Sequence, residues 1–250
     1  MRYDLFCKDM SQLPLFVLPM VLFPGEVQEL RVFEPRYRQM LDDCLLEDLN
    51  FGLIMNNPMN PTNYWDGPMD YGCEAKIVHH ETKGSNHFLK IIGGRRFRIK
   101  QIIERALPPF DHPMMEPIAN EDGYFPDLET IIEMIPDEAP HSKLYISAEV
   151  EYLDNLPELS QKEQNSLTSI MQEILKRIGV MMNIDNETIS EWIEQSPMIQ
   201  VISESSESVY SVTSLVVHDL HTRQDILESE NSQDSISILR AHLSAFSEEE

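Results

Sequence analysis

The chain has 250 residues, enough for one large or two ordinary domains, and its 42% hydrophobic and 8% aromatic content supports a real core rather than global disorder. The formal charge is −24 and is unevenly placed: residues 1–110 carry 13 basic and 14 acidic side chains, while residues 111–250 carry 6 and 29. Such an acidic chain repels phosphate backbones, which argues against general DNA or RNA binding. Cys7, Cys44 and Cys73 are odd in number and form no CxxC pair, so neither a disulfide framework nor a zinc knuckle is expected. A reducing cytoplasm is the expected location, with no membrane span, since the longest apolar run (Leu13–Gly25) is interrupted by Pro14, Pro19 and Pro24.

Residues 13–33 read as extended, with a turn at Pro24-Gly25 and prolines that favour edges or bulges over a central ladder. A helix is expected from Pro35, with the Glu34 carboxylate at its positive end. Tyr37, Met40, Leu41, Cys44 and Leu45 then make one apolar stripe. Phe51–Met55 reads as a short strand and 56–72, with its three prolines, as a long loop. Strands follow at Glu74–His80, His87–Ile92 and, after Gly93-Gly94, Arg95–Ile103.

Residues 107–142 contain nine acids and no Lys or Arg, and read as an acidic insertion with a short helix at Leu128–Ile135. Leu144–Leu153 alternates like a closing strand. Helical texture then takes over. Ser160–Glu163 is a capping box, followed by a stripe of Leu167, Ile170, Met171, Ile174, Leu175 and Ile178. Further helices are expected over Glu187–Gln195 (Ile189, Trp192 and Ile193 inward), Val209–Leu220, Arg223–Glu228 and Asp234–Phe246. The last carries Ile236, Leu239, Leu243 and Phe246 on one face. The fold class is therefore α+β, with a β-rich domain at 1–156 and a helical bundle at 157–250.

The segments Leu13-Pro14-Leu15-Phe16, Val21-Leu22-Phe23-Pro24-Gly25 and Phe33-Glu34-Pro35-Arg36-Tyr37 have a specific spacing. Gly72 and Gly94-Arg95-Arg96-Phe97-Arg98 follow, with Val217–Leu220 and Arg223–Glu228 further on. This pattern resembles the N-terminal substrate-binding domain of the Lon family of ATP-dependent proteases, particularly its stand-alone versions. The resemblance implies a PUA-like pseudo-barrel with one amphipathic helix, followed by a helical bundle. It also implies recognition of unfolded or client polypeptides, with a separate protease as a further partner. No GxxxxGK[ST] loop, GxSxG elbow or SxxK pair is present, so the expected function is a non-catalytic, cofactor-free protein-binding module and not an enzyme.

The candidate contact residues are Met59, Tyr64, Trp65 and Met69, where aromatics and adaptable methionines beside a polar rim suit a binding hot spot. The alternative is that they tuck onto the barrel. Arg96, Arg98 and Lys100 alternate on one strand and form a candidate anionic-partner patch. That patch would be neutralised within the chain or by a partner. The other reading of it is RNA or nucleotide binding. Glu34, Arg36 and Tyr37 read first as helix-start residues: a cap, a local ion pair and a packed ring. His79, His80, Glu81 and His87, with Cys73, match no metal-ligand spacing, and the abundant carboxylates read as a solvated surface.

Overall fold

The computed structural model describes residues 10–84, 86–109, 112, 127–200 and 202–245. The chain divides into two compact units, residues 1–154 and 155–250. The first holds strands β1 (Met10–Leu18), β2 (Val27–Val32), β3 (Phe51–Thr62), β4 (Trp65–Lys83), β5 (Asn86–Ile103) and β6 (Ser147–Tyr152). Helices α1 (Pro35–Glu47) and α2 (Leu128–Glu133) belong to it too. The sheet order is β2-β5-β4-β3-β1-β6, and a β5–β6 pairing closes it on itself. Five strands therefore form the ring, and β2 lies beside the first half of β5. The fold is α+β, a closed β barrel with one long amphipathic helix preceding an all-helical unit.

Strand β1 is buried on both faces, which explains its continuous apolar run. Leu13, Leu15 and Val17 pack with Ile54, Phe97, Ile146 and Val150 on one face of the sheet. Phe16, on the opposite face, packs with Phe51, Leu53 and the α1 residues Tyr37, Met40, Leu41 and Cys44. The prolines do not push β1 to an edge: it pairs with β3 and β6. Pro14 is tolerated because the β3 ladder starts only at Leu15, so the missing N–H faces no partner there.

Four local expectations need correction. Residues 56–72 are not a loop; they form the β3–β4 hairpin, whose turn is Asn63-Tyr64, both with positive φ (44° and 64°). That conformation matches a two-residue hairpin turn, which usually announces itself with glycine. Nor does Gly93-Gly94 end a strand: β5 runs straight through it. There β5 leaves β2 (last pair Val27↔Ile92) and, from Phe97, takes β6 as its neighbour. A Cβ on Gly93 would collide with the Phe23 carbonyl, and the Gly93 N–H donates to the Glu26 carbonyl at 2.8 Å. Glu34 accepts no cap hydrogen bond from the α1 backbone; its carboxylate takes the Arg36 Nε–H at 2.8 Å instead. The closing strand begins at Ser147, while Leu144, Tyr145 and Ile146 are buried ahead of it.

Most of residues 110–126 in the expected acidic insertion lies outside the described residues. Of the rest, α2 caps on Asp127 and packs Ile131 against Leu107 and Leu144. In the second unit, α3 (Gln161–Met181) starts on the Ser160–Glu163 capping box and buries Leu167, Ile170, Met171 and Leu175. Its last turns are exposed at Ile178 and Val180. In α4 (Asn186–Glu194) Ile189 is buried, but Trp192 is 38% exposed rather than inward. After α5 (Pro197–Gln200), α6 (Glu207–Val216) stops before Leu220, because Asp219 caps a new helix, α7 (Leu220–Glu228). The last helix, α8 (Ser232–Ala245), buries Ile236 and Leu239; the Phe246 expectation lies outside the described residues.

Candidate functional site

Beside the hairpin turn of the barrel unit lies an open groove of about 460 Å³. Besides the end of β1 (Val17 and Leu18) and Pro19 after it, three segments build it. The start of α1 brings Glu34, Arg36 and Tyr37, the β3–β4 hairpin brings Tyr64, Trp65 and Asp66, and the end of β5 runs on to Arg105. The segment after β5 is tied to the hairpin. Asn63 Nδ2 donates to the Arg105 carbonyl at 3.0 Å, and Trp65 Nε1 donates to the Leu107 carbonyl at 3.2 Å.

Trp65 is the middle of the site. The Arg36 guanidinium sits 4.0 Å from its ring centre and 4.3 Å from that of Tyr37. The Arg105 guanidinium lies 4.9 Å from the Trp65 ring. Arg36 is compensated by Glu34. Arg105 is different: it is 3% exposed, and none of its three guanidinium nitrogens has a hydrogen-bond partner among the described residues. Burial, reinforced by the Arg36 charge, pulls its pKa down to about 10, which still leaves it protonated at neutral pH. Glu34 and Asp66 favour its charge through space without bonding to it, and a buried cation that faces an aromatic ring without an acceptor retains most of its hydrogen-bonding demand.

The sequence-derived contact residues separate. Tyr64 is 63% exposed, and its ring lies 4.1 Å from that of His112. Tyr64 and Trp65 both line the groove. Met59, 91% exposed, lies further back on the same hairpin. Met69 packs against the barrel cluster containing Leu15 and Phe97. Arg36 belongs to the groove, and Arg105 was not singled out by any motif. Its only signal is a cation ending an apolar strand, and its burial depends on a hairpin 40 residues earlier.

The basic strand is less of a patch than its alternation implies. Arg96 is 6% exposed and reaches the Asp154 carbonyl at 3.5 Å. Lys100 forms an ion pair with Glu151 on β6, and Arg98, exposed, faces the Tyr71 ring at 5.5 Å. Arg95 stacks on Tyr152 at 3.7 Å. His80 Nε2 and His87 Nδ1 are 3.0 Å apart. Among the described residues, no group of three His, Cys, Asp or Glu side chains could hold a metal ion, and no helix is long and apolar enough to cross a membrane.

A closed barrel carrying one long helix, followed in the chain by an all-helical unit, defines the fold class. The sequence matches the family described as the ATP-dependent protease La (LON) substrate-binding domain over residues 12–245, and the chain belongs to that family. A Lon N-terminal domain protein from Xanthomonas campestris has a similar fold (TM-score 0.55, 19% identity, 92% of this chain and 98% of that one). The N-terminal domain of Mycobacterium avium complex Lon protease does too (TM-score 0.52, 12% identity, 92% and 96%). No curated protein matches the sequence.

Proposed function

We propose that this chain is a non-catalytic polypeptide-binding module that holds client segments along the Trp65 groove. The observation that carries the reading is the groove itself: an aromatic floor, a strongly exposed Tyr64 at its rim and Met59 on the same hairpin. Exposed aromatic side chains supply contact area at low ordering cost, and the flexible methionine adapts to varied partners. Membership in a substrate-binding family supports the same class of partner. The acidic surface keeps such a module soluble, and delivery of clients to a separate protease in the cytoplasm is compatible with it. Nucleic-acid binding has less support, since Arg96 is buried and Lys100 is paired with Glu151, which leaves only Arg98 of the three expected patch residues exposed without an acidic partner among the described residues.

Fluorescein-labelled casein, an unfolded substrate, tests the reading by anisotropy. The wild type binds, Tyr64→Ala weakens binding about 10-fold at unchanged stability, and Trp65→Ala weakens it further, as expected of hot-spot aromatics. Absence of binding by the wild type overturns the reading.

A further inference from the structure

Arg105 is the one feature of the groove that client contact through aromatics leaves unexplained. A buried guanidinium with no hydrogen-bond acceptor costs the fold, and a bound acceptor would offset that cost. We infer that the groove recognises a single peptide carboxylate, taken by the Arg105 guanidinium, with the apolar residue beside that carboxylate laid against Trp65. The inference rests on the polypeptide-binding reading and narrows it.

Charge and shape select the carboxylate. The groove holds two cations, Arg36 and Arg105, and two carboxylates, Glu34 and Asp66. Glu34 is committed to Arg36. Asp66 accepts from Asn56 Nδ2 at 2.9 Å and stays on the rim, exposed. Neither carboxylate gives Arg105 a hydrogen bond, so what the guanidinium lacks is an acceptor rather than a net charge, and the carboxylates nearby penalise a dianion such as phosphate. A guanidinium offers a planar fork that a carboxylate matches with two parallel hydrogen bonds. Val17, Leu18 and Pro19 line the same groove and provide apolar wall for an adjacent side chain. The carboxylate has two sources in a polypeptide, a C-terminus or an Asp or Glu side chain, and the chemistry at Arg105 is the same for both.

Three tripeptides separate these sources: acetyl-Ala-Ala-Leu as the free acid, the same peptide as its amide, and acetyl-Ala-Asp-Leu amide. Binding is read from Trp65 fluorescence in the full chain carrying Trp192→Phe, which leaves Trp65 as its single tryptophan. The expected result is a preference of about 10-fold or more for one or both carboxylate peptides over the neutral amide, as for a charge-assisted pair. Preference for the free acid assigns the site to chain termini; preference for the Asp peptide assigns it to acidic side chains. Arg105→Met removes the preference without lowering the urea midpoint, because an unpaired buried charge leaves with it. Arg105→Lys keeps the charge but loses the fork and most of the preference. Equal binding of the three peptides, no binding, or a preference that survives Arg105→Met overturns the inference. So does inorganic phosphate competing more tightly than acetate. Because these comparisons use short peptides, they are independent of casein binding: failure with casein alone sinks the client reading and leaves the carboxylate site standing.

Discussion

Tyr37 donates its phenolic hydrogen to the Val17 carbonyl across 2.7 Å, pinning α1 to β1 inside the core. The bond joins positions 20 residues apart, and both partners are buried. Tyr37 is only 2% exposed, so its hydroxyl has little water to fall back on, and the Phe16 ring packs 4.2 Å from its own. Tyr37→Phe leaves the Val17 carbonyl short of this donor. A stability loss of about 1–2 kcal/mol is expected, read as a lower urea midpoint at constant slope. A loss below the error of the measurement would show that the bond contributes nothing net.

The crossing at Gly93 gives the second prediction. A methyl group there meets the Phe23 carbonyl oxygen, a backbone atom that cannot rotate away. Gly93 also exchanges hydrogen bonds with the 25–26 turn, accepting from the Gly25 N–H at 2.9 Å. Gly93→Ala is expected to cost more than the ~1–3 kcal/mol typical of overpacking. Gly84→Ala, at a turn with nothing within 4 Å, has no such clash and costs only the strain of its positive φ (61°). Thermal unfolding of the two variants side by side checks the ranking.

Two thiols should be inert in the folded state. Burial pushes Cys44 up to about 12, with the Asp43 and Glu47 charges adding to it, and burial raises Cys73 further still. In a Cys7→Ser background, where these are the remaining cysteines, a thiol reagent at pH 8 is expected to react fast only after denaturant is added. Rapid labelling of native protein would mean that the barrel opens locally far more often than its packing implies.

His87 makes stability depend on pH. Burial holds its imidazole below the ordinary value of 6.5; Asp42 opposes this, while His80 and Arg38 add to it. Thr82 Oγ1, 3.3 Å away, is the other polar neighbour of its Nδ1. The folded state therefore binds a proton less readily than the unfolded chain. The contribution is complete above about pH 6.5 and drains as the pH falls below that value toward the folded pKa. Between pH 7.5 and 5.0 the wild type should lose more stability than His87→Asn, measured by urea titration. Parallel losses would remove His87 from the account.

Periodicity and chain punctuation carried much of the fold. The α1 stripe from Tyr37 to Cys44 and the Ser160–Glu163 capping box are local patterns, and the structure places them as their spacing implies, although Leu45, the expected last member of the stripe, is 41% exposed because burial along α1 ends at Cys44. The hairpin was hidden for equally local reasons. Pro58, Pro61 and Pro68 are poor strand formers, and the turn conformation falls on Asn63-Tyr64 with no glycine to mark it. Trp192 sits at the inward spacing of α4, yet over a third of it meets solvent, since periodicity marks a face but not whether a neighbouring element covers it. Arg105 was invisible because nothing in its neighbours signals burial; that comes from Trp65 and the first turn of α1.

The ring is completed by its last strand. Until residues 147–152 have been made, β1 and the second half of β5 each lack one of their partners. A ribosome must therefore reach residue 152 before the barrel can shut. Fragments ending earlier would carry two unsatisfied strand borders, inviting the intermolecular pairing that insoluble aggregates are made of. A cell expressing this protein gains by shielding the growing chain until Tyr152 has emerged.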